Sequence, residues 1–175
     1  MTSLLARIAA RLRGRTCPPA PRAHPDDDAG RNRGYRGQTA TARQGLWGEH
    51  EAEKWLVREA GLRCLGRRVK VGRDEIDLVM EDRDARGREY VFVEVKTRSS
   101  ELFGGGRAAM DRRKRHALCR AVARYMRHLP PIPFRIDLVE VYGRAESGDP
   151  PRIEHQRAAV PMELRYAASA LARRR

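Results

Sequence analysis

The sequence predicts an α/β protein, a mixed β-sheet flanked by helices, and three observations predict it. Residues 75–80 (EIDLVM), 90–96 (YVFVEVK) and 134–143 (FRIDLVEVYG) are short apolar runs rich in β-branched and aromatic residues, the composition of strands. Two longer stretches, from about Trp47 to Ala60 and over 111–128, instead carry apolar residues at helical spacing. Helix, strand, strand, strand, helix, strand is then the order of elements, and it builds a mixed sheet with helices against it.

In chain order, residues 1–42 form a basic N-terminal extension. MTSLLARIAARLRGR resembles a transit peptide or an interfacial helix, and the stretch from Cys17 to Gly45 is too poor in large apolar residues to offset its ordering entropy, so disorder is expected there. The domain is expected over 43–160. In its first helix Ala52, Leu56 and Ala60 form one apolar stripe with Trp55 at the edge, Glu49 falls inside that stripe, and Gly61 stops the helix. Leu62–Val71 reads as extended and DRDARG (82–87) as a turn. The second helix places Leu118, Val122, Tyr125 and Leu129 together and ends at the PPIP that follows. RIEHQRAAV is a last edge strand, and 161–175 is a basic C-terminal tail, helical or disordered.

The 175 residues carry a formal charge of +14, spread as +5 over 1–42, +6 over 43–143 and +3 over 144–175. A surface this basic favours a polyanionic partner, because it concentrates phosphate groups around itself. Only four of the 37 cations are lysines (Lys54, Lys70, Lys96, Lys114). Each therefore invites the question of what an arginine would not do. Cys17, Cys64 and Cys119 are odd in number and far apart, which argues against a disulfide framework or thiolate metal site and points to a reducing cytoplasm. No apolar run approaches the ~20 residues that span a bilayer. HEAEK at 50–54 has Lys54 where a metalloprotease needs its second histidine, and the five histidines show no ligand spacing, which makes each a surface or boundary residue.

Chemistry concentrates in the strands. Residues two apart on a strand share a face, ~6.6 Å apart. Glu94 and Lys96 therefore project together with Phe92 behind them, while Val91, Val93 and Val95 pack the other face. By the same rule Glu75, Asp77 and Val79 share one face, and Ile76, Leu78 and Met80 the other. A hairpin centred on the Ala85–Arg86 step sets Asp77 opposite Glu94, ~5 Å away, where two carboxylates repel unless a cation separates them. Magnesium or manganese suits such an oxygen-rich site. Lys96 would orient the attacking water, and Glu49 would add a further carboxylate to the ion or its water shell. For EVK alone, a structural Glu94–Lys96 ion pair on a solvated sheet face is the competing reading.

GLWGEHEAEKWL, DEIDLVM, YVFVEVKTRSS followed by FG, Lys114 and FRIDLVEV together resemble the YraN family of uncharacterised bacterial proteins, over roughly residues 43–160. That family is similar to the PD-(D/E)XK nuclease superfamily and to archaeal Holliday-junction resolvases. The resemblance implies a restriction-endonuclease-like fold and a metal-dependent endonuclease acting on DNA, with branched or structured DNA as substrate. It also implies a metal held by Asp77, Glu94, the Val95 carbonyl and Glu49, with Lys96 completing the catalytic set, and a homodimer. The sequence departs from the family in one place, carrying Asp74 where a glycine usually precedes Glu-Ile-Asp. Glu75 is left with two readings, metal ligand or strand-edge partner for an arginine.

For nucleic-acid binding, the candidates are Lys114, Arg112, Arg113 and Arg98, with Gly104 and Gly105 permitting close backbone approach to a phosphodiester. No aromatic-rich pattern for stacking unpaired bases is evident, which leans towards duplex or branched substrates. Two rival functions are a nucleic-acid-binding protein that keeps the fold without turnover and a membrane-surface partner acting through the N-terminal basic helix.

Overall fold

The computed structural model describes residues 39–84, 87–98, 110–129 and 132–171. Helix α1 (Ala40–Arg58) precedes strands β1 (Arg63–Val71), β2 (Asp74–Asp84) and β3 (Gly87–Arg98). Helix α2 (Arg112–Met126), strands β4 (Phe134–Tyr142) and β5 (Arg152–Gln156) and helix α3 (Leu164–Leu171) follow. The five strands form one sheet in sequential order, antiparallel throughout except for the parallel pair β3 and β4. This is the mixed α/β sheet that the sequence predicts.

Each face of the sheet carries its own core. Leu78 and Met80 of β2, Val91 and Val93 of β3, and Val139 and Val141 of β4 meet Ala52 and Leu56 of α1. On the other face Val79, Phe92 and Ile136 meet Leu118, Val122 and Tyr125 of α2. Leu56 and Phe92 are fully buried, and burial of that kind contributes ~1.5–3 kcal/mol per large side chain. The valines of YVFVEVK and Val139 and Val141 of FRIDLVEVY thus face α1, while Phe92 and Ile136 between them face α2.

Several boundaries differ from the sequence reading. Helix α1 begins at Ala40, seven residues before Trp47, because Thr39 caps it by accepting the Ala42 N–H at 3.2 Å. Within the turn expected at 82–87, β2 and β3 stay paired as far as Asp84 and Gly87, and Ala85 and Arg86 lie outside the described residues. The C-terminal segment takes the helical one of its two expected states, with eight residues forming α3. Ile76 packs in the α2-side core although Leu78, two residues on, belongs to the α1-side core, so β2 rolls over at Asp77 and does not keep Ile76 with Leu78. His155 is a boundary residue, as expected, although its side chain is 8% exposed and its Nε2 lies 2.9 Å from the buried Asp137 carboxylate.

Candidate active site

The site forms where β2 and β3 part. Their pairing runs from Asp84–Gly87 to Leu78–Val93, and one further step of the same register sets Asp77 against Glu94. At that step a side chain stands in for the ladder, for the Val95 N–H donates to Asp77 Oδ2 at 2.8 Å. Asp77 is therefore held by the strand it faces. Two carboxylates, 8% and 3% exposed, end up side by side.

Burial and mutual repulsion both act on this pair. Glu94 is pushed up to about 7, first by burial and then by the Asp77 charge, against the pull of Lys114. Asp77 is also raised, chiefly by burial. Glu94 Oε2 is buried and has no hydrogen-bond partner among the described residues.

Glu49 arrives from the other side of the sheet. Helix α1 crosses β3 closely at Gly48, where a Cβ would stand 1.9 Å from Thr97 Oγ1, and this close crossing brings the next residue towards the carboxylates. Burial and the Asp77 charge push Glu49 up to about 7, and Arg68 Nε lies 3.8 Å from its Oε2. A shallow cleft of about 390 Å³ lined by Leu46, Glu49 and Arg68 opens beside it. Glu75 takes the ion-pair reading: Arg68 Nε approaches it at 3.2 Å and Lys70 also bonds it, and together they outweigh burial and lower its pKa.

Lys114 heads α2 but does not point only to solvent. Its Nζ is 3.1 Å from Glu94 Oε1, with the side chain 48% exposed. Burial lowers its pKa, yet the Glu94 and Asp77 charges raise it overall. Lys96 is half-buried and makes no ion pair with a described residue, so the competing Glu94–Lys96 pair is not the arrangement seen. Arg112 and Arg113 are exposed beside Lys114. Arg98 turns to Glu140, its Nε 2.9 Å from a carboxylate only 6% exposed. Gly104 and Gly105 lie outside the described residues.

Glu140 escaped the sequence reading. Its backbone pairs with Lys96 across β3 and β4, and its other oxygen accepts from Gln156 at 3.4 Å. An acid two residues after Leu138 in a central strand was a visible signal, but its partners Arg98 and Gln156 come from two other strands. Asp74, where the family's glycine is usual, needs no left-handed backbone; Gly72 takes that conformation at φ 65°. Asp74 instead accepts two bonds from Arg120 of α2, at 2.7 and 2.8 Å, and ties the start of β2 to that helix.

Among the described residues, no three His, Cys, Asp or Glu side chains are placed to hold one ion between them. Asp77 and Glu94 still suit magnesium, which is commonly held by one or two carboxylates with water and substrate phosphate completing its shell. The unpartnered, buried Glu94 Oε2 is the observation that fits such an ion.

A mixed sheet sandwiched by helices, with paired acids at a point where two strands part, places the chain in the α/β class, with a sheet of the restriction-endonuclease-like kind. The family profile described as "Uncharacterised protein family UPF0102" matches residues 48–141, which include Glu49, Asp77, Glu94, Lys96 and Lys114. The chain belongs to this family, that of the YraN proteins. It is 37% identical over 142 residues to a UPF0102 protein of Bordetella parapertussis, covering 77% of this chain and 73% of that one. It is 38% identical over 112 residues to one of Paracidovorax citrulli (62% and 80%). To one of Xanthomonas oryzae pv. oryzae it is 37% identical over 107 residues (59% and 80%). Among solved structures, SfsA of Pyrococcus furiosus in complex with Ca2+ matches at a TM-score of 0.30 and 13% identity, over 67% of this chain and 63% of that one. Among the described residues, no helix is long and apolar enough to cross a membrane.

Proposed function

We propose that this protein is a metal-dependent endonuclease that hydrolyses phosphodiester bonds in DNA, with branched or structured DNA as its substrate. The observation that carries the reading is the placement of Asp77 and Glu94 side by side, buried and raised in pKa, at the splayed end of β2 and β3. Carboxylates confined in this way favour a cation between them. Asp77 and Glu94, with the Val95 carbonyl and Glu49 beside them, would hold Mg2+ or Mn2+. Such an ion, when bound, lowers the pKa of water and neutralises charge developing at phosphorus.

The chain's own groups supply the remaining functions. Lys96 projects on the Glu94 side of β3 with no ion-pair partner among the described residues, and it orients the attacking water. Lys114 lies on Glu94 until a phosphate or cation competes for it. Helix α2 opens with Arg112, Arg113, Lys114 and Arg115 and has no acid in its first turn. Cations there oppose the helix dipole; a phosphodiester backbone docked at that end offsets the repulsion. A homodimer would present two such sites to two strands.

The test is incubation of purified protein with linear, flapped, single-stranded and four-way-junction DNA, in Mg2+, Mn2+ or EDTA, beside Lys96→Ala. Cleavage that needs metal and is lost in the variant is expected. A second reading, a nucleic-acid clamp without turnover, is favoured by the Lys114 ammonium standing on Glu94 and by the lack of a ready three-ligand site among the described residues. Binding to these substrates with no cleavage in either metal would establish the clamp instead.

A further inference from the structure

A second cleft lies away from the carboxylates. It has a volume of about 540 Å³ and lies between the outer flank of α1 and the segment joining β4 to β5, with Trp47, Trp55, Pro150 and Pro151 among its walls and three cations, Lys54, Arg58 and Arg144, against two acids, Glu51 and Asp149. That size is in the range of small-molecule sites, ~300–1,000 Å³. Sequence spacing hides it, because the prolines stand about a hundred residues from the tryptophans.

Both tryptophans are held by packing behind them. The Trp55 ring meets the His155 ring edge-on, with centroids 5.6 Å apart at 75°. His155 is fixed in turn by its 2.9 Å contact with Asp137, which is fully buried and also accepts the Ala158 N–H at 2.8 Å. Trp47 lies against Gly143, where a Cβ would come within 3.1 Å of the indole. Rigid indoles beside flat proline walls lose little entropy when a planar ring docks on them.

Charge selects the kind of planar ring. Lys54 and Arg58 are engaged only by neighbours on their own helix, Glu51 and Glu59, each at 2.8 Å. Exposed pairs of this kind are worth little and give way to a phosphate. Arg144 is exposed and makes no ion pair with a described residue. The cleft also adjoins the strand that carries the candidate site: the Gly143 N–H behind Trp47 donates to the Arg98 carbonyl at 2.9 Å, at the end of β3. From Glu94 to Arg98 is ~13 Å of strand, a few nucleotides of stacked rise at ~3.4 Å each.

We propose that this cleft binds an unpaired nucleotide of a single-stranded DNA segment, its base against Trp47 and Trp55 and its phosphates at Lys54, Arg58 and Arg144. The proposal rests on the nucleic-acid reading above and names the substrate class: DNA with an unpaired arm beside the scissile strand. Of the duplex or branched substrates towards which the sparse aromatic composition leans, it selects branched ones with an unpaired arm.

The chain contains two tryptophans, and both line this cleft. Intrinsic tryptophan emission of the full chain therefore reports on it alone. In EDTA, where no cleavage intervenes, oligo-dT is expected to quench that emission saturably, and a blunt duplex of equal length is expected to quench it far less. Trp55→Leu should weaken oligo-dT binding about ten-fold, and the exposed change Arg144→Glu, which removes no buried group, should weaken it several-fold. With Mg2+, both variants should lose the preference for flapped over blunt DNA. Equal quenching by duplex and oligo-dT, or quenching by a proline-rich peptide but not by oligo-dT, overturns the proposal. Metal-dependent cleavage that is indifferent to both variants also overturns it while leaving the nuclease reading intact. Selective quenching without cleavage in any metal does the reverse: the cleft stands and the nuclease reading falls.

Discussion

Glu49 and Glu94 both titrate near 7 in the folded protein, against an ordinary value of 4.5. A group whose pKa rises on folding stabilises the native state fully below its unfolded value, and that contribution is lost as pH rises through the folded value. Metal-free protein should therefore lose stability between about pH 4.5 and 7, by ~3 kcal/mol for either group taken alone. Urea midpoints at pH 5 and pH 8 check this, and added Mg2+ should restore stability at pH 8. Asp77→Asn keeps an acceptor for the Val95 N–H but removes the charge that repels Glu94. It should lower the Glu94 pKa by ~1 unit, raise metal-free stability at pH 8 and abolish the Mg2+ effect, as read by carboxyl NMR titration and thermal melts. Lys114→Met should move Glu94 the other way, by ~1 unit. The juxtaposition of Asp77 and Glu94 was legible from the hairpin register, and the inward side of Glu49 from the helical period, although the period of two failed for Ile76 and Leu78. Glu140 and the burial of His155 were not legible, since a polar residue reads as buried only once its partners are placed, and Arg98 lies 42 residues from Glu140.

At the scale of elements, the crossing of α1 over β3 decides whether Glu49 reaches the site. Gly48→Ala would drive a Cβ into Thr97, whose Oγ1 lies 1.9 Å from the position of that atom, and should cost ~1–3 kcal/mol by overpacking. Adding Thr97→Ala removes Oγ1 and Cγ2 and should recover part of the loss, which chemical denaturation of the single and double variants will measure. Strand identities and the hairpin register were readable from β-branched composition and the period of two. The start of α1 was not, because 40–46 lacks an apolar stripe and depends on the Thr39 cap. The length of β2 was masked by turn-like chemistry at Asp82, which Arg135, 53 residues away, holds at 2.9 Å.

For the whole molecule, a charge of +14 predicts DNA binding that weakens steeply with salt. Arg112→Glu and Arg113→Glu should each flatten the plot of log affinity against log salt by ~1, with melting temperature unchanged because both side chains are exposed. Fluorescence anisotropy across a salt series provides the test. The two-core architecture has a further consequence, for synthesis. Glu49 is brought in by the α1-side core, while Lys114 and the cover over Glu94 come from α2, which is followed in the chain by β4, the parallel partner of β3. A nascent chain that has emerged only as far as β3 carries all four acids of the region but not the helix that buries and balances them. The candidate site is thus completed late, after the ribosome has released most of the domain, and on the nuclease reading proposed above an incomplete polypeptide would lack the charges that balance its acids.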